Sequence, residues 1–325
     1  MSARAWYLLA DIGGTNARFA LGDVQSGTLS QQLTVSVAEC ETFAAALDLY
    51  LASVKAQTCW ERSPRNACLA VAGPADTGFV TFTNSAWVVD RRDLAQSLGV
   101  KELHLINDFE AIGHAIPTLR SDDWAQVGGG VDVLGKPQVV LGPGTGLGVC
   151  SVVPEGTDFR VLAGEGGHVD FAPTDQEETE ILRLLLTRYQ RVSAERLLSG
   201  AGLLNIYWAL TELRGHGRSH GTPADISAAA LANTDPVATE ALAVFCRVLG
   251  SVAGNLALTL GAHGGVYIAG GIVPRMLDFL ARSDFRERFV AKGRFRSYLD
   301  SIPTRAITRD NPGLLGALRF LQAQE

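Results

Sequence analysis

Two glycine-rich turns, far apart in this 325-residue chain, constrain its fold more than any other feature. The first is Asp-Ile-Gly-Gly-Thr-Asn at residues 11–16, and the second is Gly-Pro-Gly-Thr-Gly-Leu-Gly at residues 142–148. An apolar strand-like run precedes each turn and another follows it, so each predicts a strand–turn–strand unit. Because glycine has no Cβ, the backbone N–H groups of such turns can approach an anion closely. Together the two turns predict a clamp on a polyphosphate.

The spacing of the glycines excludes two common nucleotide-binding motifs. A Walker A loop needs Gly-x-x-x-x-Gly-Lys followed by Ser or Thr, and a dinucleotide fingerprint needs Gly-x-Gly-x-x-Gly, both opening a helix. The spacing Gly144-x-Gly146-x-Gly148 is close, but it leads into the strand-like segment 149–153. Taken singly, each turn is as compatible with a tight β-hairpin as with phosphate binding, and both interpretations stay open here.

A polar pair, Asn107-Asp108, follows the strand-like segment 102–106. Ligands of open α/β sheets gather at the carboxyl ends of strands, so Asp108 is a candidate general base. The structural alternative is that Asp108 is the N-cap of a helix over 109–116. Asp11, in the first turn, is placed to hold Mg²⁺ directly or through water. This combination predicts phosphoryl transfer.

Composition narrows the class of protein. A hydrophobic fraction of 47% with 19% charged residues is typical of a globular protein, and a net charge of −6 argues against nucleic acid as a partner. The five cysteines include no Cys-x-x-Cys pair, which favours reduced thiols over disulfides or a structural metal. Residues 248–274 contain no Asp, Glu, Lys or Arg, and their glycines predict a buried helix to Leu260 and a buried strand over 266–269 rather than a membrane span.

Hydrophobic periodicity places further elements and indicates an α/β chain. Strands are predicted at 67–72 and 102–106. Helices are predicted at Thr42–Ala56, Asp93–Leu98, Glu177–Tyr189, Leu203–Leu213 and Gly313–Gln322. Gly99 is the expected stop of the second of these helices.

Seven motifs, in order along the chain, resemble those of the bacterial glucokinases of the ATP-dependent hexokinase kind, within the sugar kinase, actin and heat-shock ATPase superfamily. They include the two turns and the Asn107-Asp108 pair. The others are Val-Ala-Gly-Pro at 71–74, Thr-Asn at 83–84, Gly-Glu-Gly-Gly-His at 164–168 and Ala-Gly-Gly at 269–271. The resemblance runs from the first strand to the last helix.

This resemblance implies a fold and an activity. The fold is α/β, with two ribonuclease-H-like domains flanking a ligand cleft. The small domain would contain residues 1–118 and 307–325, and the large domain residues 119–306. The implied reaction is phosphorylation of D-glucose at its 6-hydroxyl by ATP with Mg²⁺, in a cytoplasmic homodimer that needs neither nucleic acid nor a membrane.

The resemblance also implies the site residues. Asp108 would be the catalytic base, and the glucose ligands would be Asn84, Asn107, Asp108, Glu165, His168 and Glu195. ATP and Mg²⁺ would be bound by Asp11, Gly13, Gly14, Thr15, Asn16, Gly144, Thr145, Gly146, Gly270 and Gly271, with no structural metal site. From the residues alone, the segment 164–168 is equally an ordinary polar loop, and Glu195 an exposed glutamate in the first turn of a helix.

Two other functions fit parts of the pattern. One is a kinase for another hexose, such as mannose or fructose. The other is a sugar-sensing transcriptional regulator on the same fold, which would need a DNA-binding domain, usually ahead of the first strand. The first predicted strand starts at Trp6, which argues against the regulator. The related kinase group with a cysteine-bound zinc is disfavoured because no cysteine lies between Cys150 and Cys246.

Overall fold

The structure of this chain is a computed structural model, and it describes residues 4–55, 60–61, 63–73, 75, 78–82 and 86–325. The strands are β1 (Trp6–Ile12), β2 (Asn16–Asp23), β3 (Leu29–Ser36), β4 (Ala67–Val71), β5 (Phe79–Thr81), β6 (Val88–Asp90), β7 (Leu103–Asn107), β8 (Trp124–Gly128), β9 (Gln138–Pro143), β10 (Leu147–Glu155), β11 (Asp158–Gly164), β12 (Val266–Ile268) and β13 (Thr304–Ile307). Their succession along the chain follows the predicted alternation with helices.

The helices are α1 (Phe43–Lys55), α2 (Arg91–Leu98), α3 (Asp108–Ala115), α4 (Gln176–Leu185), α5 (Gly200–Arg214), α6 (Pro223–Leu231), α7 (Pro236–Leu260), α8 (Leu277–Arg282), α9 (Phe285–Val290), α10 (Arg296–Asp300) and α11 (Pro312–Ala323). Two short 3₁₀ turns, Gly166–His168 and Ala194–Arg196, carry predicted site residues. The chain divides into two compact units, Met1–Leu119 with Arg309–Glu325 (unit 1) and Arg120–Thr308 (unit 2). The predicted domain boundaries, 118/119 and 306/307, lie close to this division.

Unit 1 is built on a five-stranded sheet with the order β3-β2-β1-β4-β7. Strand β1 pairs antiparallel with β2 and parallel with β4, and β4 pairs parallel with β7. Alternate residues of β1 enter two different cores. Trp6 and Leu8 pack in one core with Phe43 and Tyr50 of α1, while Tyr7 packs in a second core that includes α11. Burial on both faces explains why the first strand is a continuous apolar run.

Unit 2 repeats this topology. Its sheet has the order β11-β10-β9-β12-β13-β8, so its first five strands follow the same order as those of unit 1, and β8 is added antiparallel at the edge. The two topologically equivalent sheets confirm the predicted α/β class with two ribonuclease-H-like halves.

Residues 248–260 of the charge-free stretch form the second half of α7, the long helix of unit 2, and the buried strand predicted after it is β12. Asp235 caps α7 and Pro236 occupies its first turn, and the helix ends at Gly261, whose φ of 60° needs glycine. By length and composition α7 is apolar enough to cross a membrane, yet 72% of its most apolar window is buried inside the protein. It packs against α5, α6 and α9 in the core of unit 2.

Most predicted helices are found within a few residues of their expected bounds, and Gly99 ends α2 with φ 65°. The helix predicted over Glu177–Tyr189 is wrong at its end, because α4 stops at Leu185. There the amides of Thr187 and Arg188 turn to carbonyls three residues back. Tyr189 leaves the helix and its hydroxyl donates to Asn205.

Candidate active site

The first glycine-rich turn is the hairpin that joins β1 to β2. Gly13 donates its N–H to the carbonyl of Asn16 at 3.0 Å, and the last strand pair before the turn is Ile12 with Ala17. The amide of Val37 donates to the carbonyl of Thr15 at 2.9 Å, which ties the turn to the segment after β3. The strand–turn–strand prediction is therefore confirmed, and so is the hairpin geometry that was the structural alternative.

Asp11 lies at the end of β1 with a side chain that is 18% exposed. Burial raises the pKa of its carboxyl group, and Arg18, with its guanidinium 3.5 Å away, lowers that pKa in part. A Cβ on Gly313 would lie 3.1 Å from the Asp11 carboxylate, so the N-terminal turn of α11 approaches this group closely. The positive end of a helix favours negative charge, so α11 helps to keep Asp11 ionised. The sequence predicted both Asp11 and the helix but not the contact between them.

The pair Asn107-Asp108 stands where β7 ends and α3 begins. Asn107 is the N-cap of α3, and its side-chain oxygen accepts from the amides of Phe109 and Glu110. The alternative in which Asp108 is the N-cap is therefore wrong. Asp108 is instead the first helical residue, partly exposed, with one carboxylate oxygen 2.9 Å from the amide of Phe109.

Asn107 is held from a second side. Its side-chain amide donates to the carbonyl of Gly73 at 3.3 Å, and Glu110 accepts from its backbone N–H at 3.3 Å, which completes a capping box. The cap fixes the direction in which the chain leaves β7, and thereby the position of Asp108. Asn84, predicted to contact the sugar, lies outside the described residues.

A cavity of about 310 Å³ lies beside the first turn. Its lining includes Gly14, Thr15, Cys40, Glu41 and Trp87. It therefore contacts two of the predicted nucleotide residues and none of the described residues predicted to bind the sugar.

The second glycine-rich turn is the equivalent hairpin of unit 2, between β9 and β10. Gly144 donates to the carbonyl of Gly146 at 2.8 Å, and the adjoining strand pair is Pro143 with Leu147. Segment 149–153 is part of β10, as predicted. This turn also has the hairpin geometry that the sequence left open.

The four glycines predicted near ATP in unit 2 have different surroundings. A Cβ on Gly144 or on Gly271 would meet open space. A Cβ on Gly146 would lie 2.5 Å from an oxygen of Glu195. Gly270, with φ 88°, packs against the carbonyl of Pro143, and no side chain would fit there. Of these four glycines, Gly144 and Gly271 therefore leave space for a ligand to approach the backbone.

Glu195 is not the exposed helical glutamate of the structural alternative. It lies in the 3₁₀ turn Ala194–Arg196, is partly buried, and accepts the N–H of Leu147 at 2.9 Å through Oε2. The fold thus brings Glu195 against the second glycine-rich turn. No local pattern around residue 195 indicated this contact.

Glu165 and His168 are brought together in unit 2. Glu165 Oε2 lies 3.8 Å from His168 Nε2, and the two side chains are 63% and 54% exposed. The connecting glycines, Gly166 and Gly167, pack against the start of β10, where added side chains would not fit. Arg191, which sequence reasoning missed, donates to the carbonyl of His168 at 2.7 Å. The described residues contain no cluster of three or more His, Cys, Asp or Glu side chains that could hold a metal ion.

Comparison with known proteins gives a consistent result. The family model described as Glucokinase matches residues 8–324. The glucokinase of Tolumonas auensis is 46% identical over 315 residues, which is 97% of this chain and 96% of that protein.

Two solved structures are similar over nearly the whole chain. The glucokinase from an Antarctic psychrotroph is 36% identical, with a TM-score of 0.85 over 98% of this chain and 99% of that one. The ROK family glucokinase of Streptomyces griseus, solved with glucose and AMPPNP, is 18% identical, with a TM-score of 0.64 over 97% and 99% of the two chains. At that identity the second likeness establishes the fold alone.

Proposed function

The chain belongs to the glucokinase family, and on that premise we propose that it transfers the γ-phosphoryl group of ATP to the 6-hydroxyl of D-glucose, giving glucose 6-phosphate and ADP. The observation that carries this proposal is the 46% identity to a glucokinase over 97% of the chain. The residues of the two turns and of the β7–α3 junction support it, because each supplies a group that phosphoryl transfer needs.

Asp108 is the general base of the proposed reaction. It accepts the proton of the 6-hydroxyl as that oxygen attacks the γ-phosphorus, and the bond between γ-phosphorus and the leaving ADP oxygen breaks. Its placement supports this role, since Asn107 takes over the capping of α3 and leaves Asp108 partly exposed at the first helical position. A carboxylate at a helix N-terminus is stabilised in its charged form, which is the form a base requires.

The sugar is held by hydrogen bonds to Asn84, Asn107, Asp108, Glu165, His168 and Glu195. Carboxylate and imidazole groups suit a polyol, because each oxygen or nitrogen can pair with one hydroxyl. A sugar that lacks or inverts a hydroxyl leaves one of these groups unpaired, at a cost of about 1–3 kcal/mol per group. The 3.8 Å separation of Glu165 and His168 supports their contact with one small ligand.

The phosphates of ATP are bound by the backbone of the two turns, through Gly13, Gly14, Thr15 and Asn16 and through Gly144, Thr145 and Gly146, while Gly270 and Gly271 face the adenosine. The open space beside Gly144 and Gly271 supports ligand approach there. Asp11 fits a magnesium ion, because its oxygens are hard ligands and its burial favours a neighbouring cation. When bound, Mg²⁺ would neutralise developing charge on the phosphates.

The proposal also covers organisation and location. Residues 1–118 with 307–325 form the small domain, residues 119–306 form the large domain, and the enzyme acts as a cytoplasmic homodimer. The net charge of −6 supports the expectation that nucleic acid is not a partner. Light scattering during gel filtration gives the molar mass that tests the dimer.

A coupled assay of ADP release over a panel of hexoses tests the substrate. We expect D-glucose to give the highest kcat/KM, with mannose and fructose lower by about tenfold or more for each misplaced hydroxyl, since tenfold corresponds to about 1.4 kcal/mol. A blank without sugar measures ATP hydrolysis. Equal or faster turnover with mannose or fructose would assign the protein to another hexose, and absence of sugar-dependent ADP release would contradict a kinase.

A further inference from the structure

Glu195 makes a contact that a sugar ligand does not need. Its Oε2 accepts the N–H of Leu147 at 2.9 Å, at the end of the second glycine-rich turn. Gly144 donates to Gly146 inside the hairpin, so the neighbouring amide of Leu147 points out of the hairpin toward Glu195. A Cβ on Gly146 would lie 2.5 Å from the same oxygen. Glycine at 146 therefore leaves room for the carboxylate to reach the turn.

The other side of the turn is held by the same stretch of chain. Gly200 donates its N–H to the carbonyl of Gly144 at 2.9 Å. Residues 195–200, which we name the clamp segment, thus contact the second turn at Gly144 and at Leu147. Two hydrogen bonds at the two ends of one turn restrict its backbone more than either bond alone.

The clamp segment is itself fixed. Ser199 is buried, donates through Oγ to the carbonyl of Glu195 at 2.9 Å and accepts the amide of Gly202 at 3.0 Å. Asn205 donates to the carbonyl of Arg196 at 2.9 Å. Leu197 and Leu198 are fully buried in the core of unit 2. The carboxylate therefore extends from a rigid support, which is the condition for it to set the position of the turn.

We propose that Glu195 is a positioning residue for the second glycine-rich turn, and that this one carboxylate links the sugar side of unit 2 to its nucleotide side. The inference rests on the proposed function, in which Glu195 binds glucose and the turn binds ATP phosphate. A phosphate gains most from backbone N–H groups that are already in place, because no ordering remains to be done on binding. Loss of the bond to Leu147 loosens the turn and weakens nucleotide binding even when no sugar is present.

The negative charge of Glu195 and its hydrogen bond to Leu147 have opposite effects on nucleotide affinity. Removing the negative charge of Glu195 favours an anionic nucleotide, whereas removing its hydrogen bond disfavours it. The variants Glu195→Gln and Glu195→Ala are both uncharged, but only glutamine keeps a side-chain oxygen that can accept from Leu147. Their difference isolates the positioning effect, which we expect to be about 3–10-fold in nucleotide affinity, the size of one hydrogen bond.

Glu165 provides the matched control. It is also a proposed glucose ligand in unit 2, but its carboxylate is 63% exposed and, within the described part of the chain, pairs with His168 rather than with the turn. Glu165→Ala and Glu165→Gln should weaken glucose binding and leave nucleotide affinity equal between them. A residue that acts only on the sugar gives this pattern.

Calorimetric titration with Mg²⁺–AMPPNP in the absence of glucose tests the proposal on all four variants. We expect Glu195→Ala to bind about 3–10-fold more weakly than Glu195→Gln, with no such difference at Glu165. Amide hydrogen exchange of Leu147 in the ligand-free protein should be about tenfold faster in Glu195→Ala than in Glu195→Gln. Equal nucleotide affinities and equal exchange rates in the two Glu195 variants would overturn the proposal.

A second variant tests the same proposal if Glu195→Ala folds poorly. Gly146→Ala introduces a Cβ that displaces the carboxylate, and it should speed exchange of Leu147 and weaken nucleotide binding in the same direction. Unchanged exchange in Gly146→Ala would count against the positioning role. The proposed function is tested independently, and it fails if the wild-type protein forms no glucose 6-phosphate. The exchange measurement requires no ligand, so the two failures can be distinguished.

Discussion

The two glycine-rich turns occupy equivalent places, between the first and second strands of sheets with the same order, but they obtain their carboxylates differently. The first turn carries its own, since Asp11 is the last residue but one of the strand that leads into it and forms an ion pair with Arg18 of the next strand. The second turn has no carboxylate of its own and receives that of Glu195, 48 residues beyond Leu147. The first turn therefore obtains its carboxylate from neighbouring sequence, whereas the second obtains its carboxylate through tertiary packing.

The ends of the fifth strands differ as well. In unit 1, β7 leads into the capping box of Asn107 and the helix that begins with Asp108. In unit 2 the equivalent strand β13 ends at Ile307 and is followed by Thr308, whose amide donates to the carbonyl of Asp123. Under the proposed function, proton transfer belongs to unit 1, and the second turn of unit 2 is a binding element.

The largest expected effect is that of Asp108→Asn, which tests whether proton transfer belongs to unit 1. Asp108→Asn keeps the shape of the side chain and removes the base, so kcat should fall about 10²–10⁴-fold. Glucose binding should change little, because the amide still forms hydrogen bonds. Single-turnover rates with a glucose titration measure both quantities. Activity within about threefold of wild type would remove the assigned difference between the units.

Gly144→Val tests whether the second turn binds phosphate or is only a hairpin. Its Cβ meets open space, so the fold should tolerate the change, while a bound phosphate should not. We expect ATP affinity to fall about 10–100-fold, corresponding to one or two lost hydrogen bonds to a charged group, with glucose affinity retained. Gly129→Val is the control, at an exposed glycine of unit 2 whose Cβ would also meet open space. Equal losses of ATP and glucose affinity would indicate a structural hairpin.

Asp11→Asn tests whether the carboxylates of Asp11 and Glu195 have different roles. If Asp11 supports Mg²⁺, the Mg²⁺ concentration for half-maximal activity should rise about tenfold, and excess Mg²⁺ should restore part of the rate. The same titration on Glu195→Gln should show no shift, because the proposed contacts of Glu195 are with the turn and the sugar and not with the metal. A matching shift in both variants would make the two carboxylates equivalent.

The smallest expected effect concerns stability. Burial lowers the pKa of His114, in the last turn of α3, from 6.5 to about 4. Between pH 6.5 and 4 the unfolded chain binds this proton more readily than the folded protein does, so the free energy of unfolding falls as pH is lowered, and the contribution is fully present above pH 6.5.

The slope from His114 is at most about 1.4 kcal/mol per pH unit. His114→Gln should therefore lose roughly 1 kcal/mol less than wild type between pH 7.5 and 5.5 in urea unfolding. Asp108 shares helix α3 with His114, so we expect acid to weaken the helix that carries the proposed base. Identical pH dependence in the two proteins would contradict this placement of the acid-sensitive group.

Much of the fold could be predicted because its signals are local. The apolar run of β1, the capped helix α7 and the glycine after α2 each carry their own start or stop in neighbouring residues. The end of α4 was missed because the chain turns after Leu185, where the amides of Thr187 and Arg188 donate to carbonyls three residues back and the hydroxyl of Tyr189 donates to Asn205, a tertiary contact that periodicity does not record. Helix-end predictions fail where packing overrides propensity.

The residues of the candidate site likewise divide into those with a local sequence signal and those that depend on tertiary contacts. Asp11 and Asp108 could be found because each stands beside a strand end that the sequence shows. The contact of Glu195 with Leu147 could not, since it depends on how the clamp segment packs on β10. The closeness of Gly313 to Asp11 was hidden for the same reason, because the two residues meet only when α11 packs on the sheet of unit 1.

Phosphorus NMR of a mixture of the purified protein, Mg²⁺, ATP and D-glucose tests the central claim most directly. The account predicts a single new phosphomonoester resonance, that of glucose 6-phosphate, which grows in step with ADP, and no such resonance when 6-deoxy-D-glucose replaces glucose. Release of ADP with inorganic phosphate and no sugar phosphate, or transfer to any other hydroxyl, would contradict it.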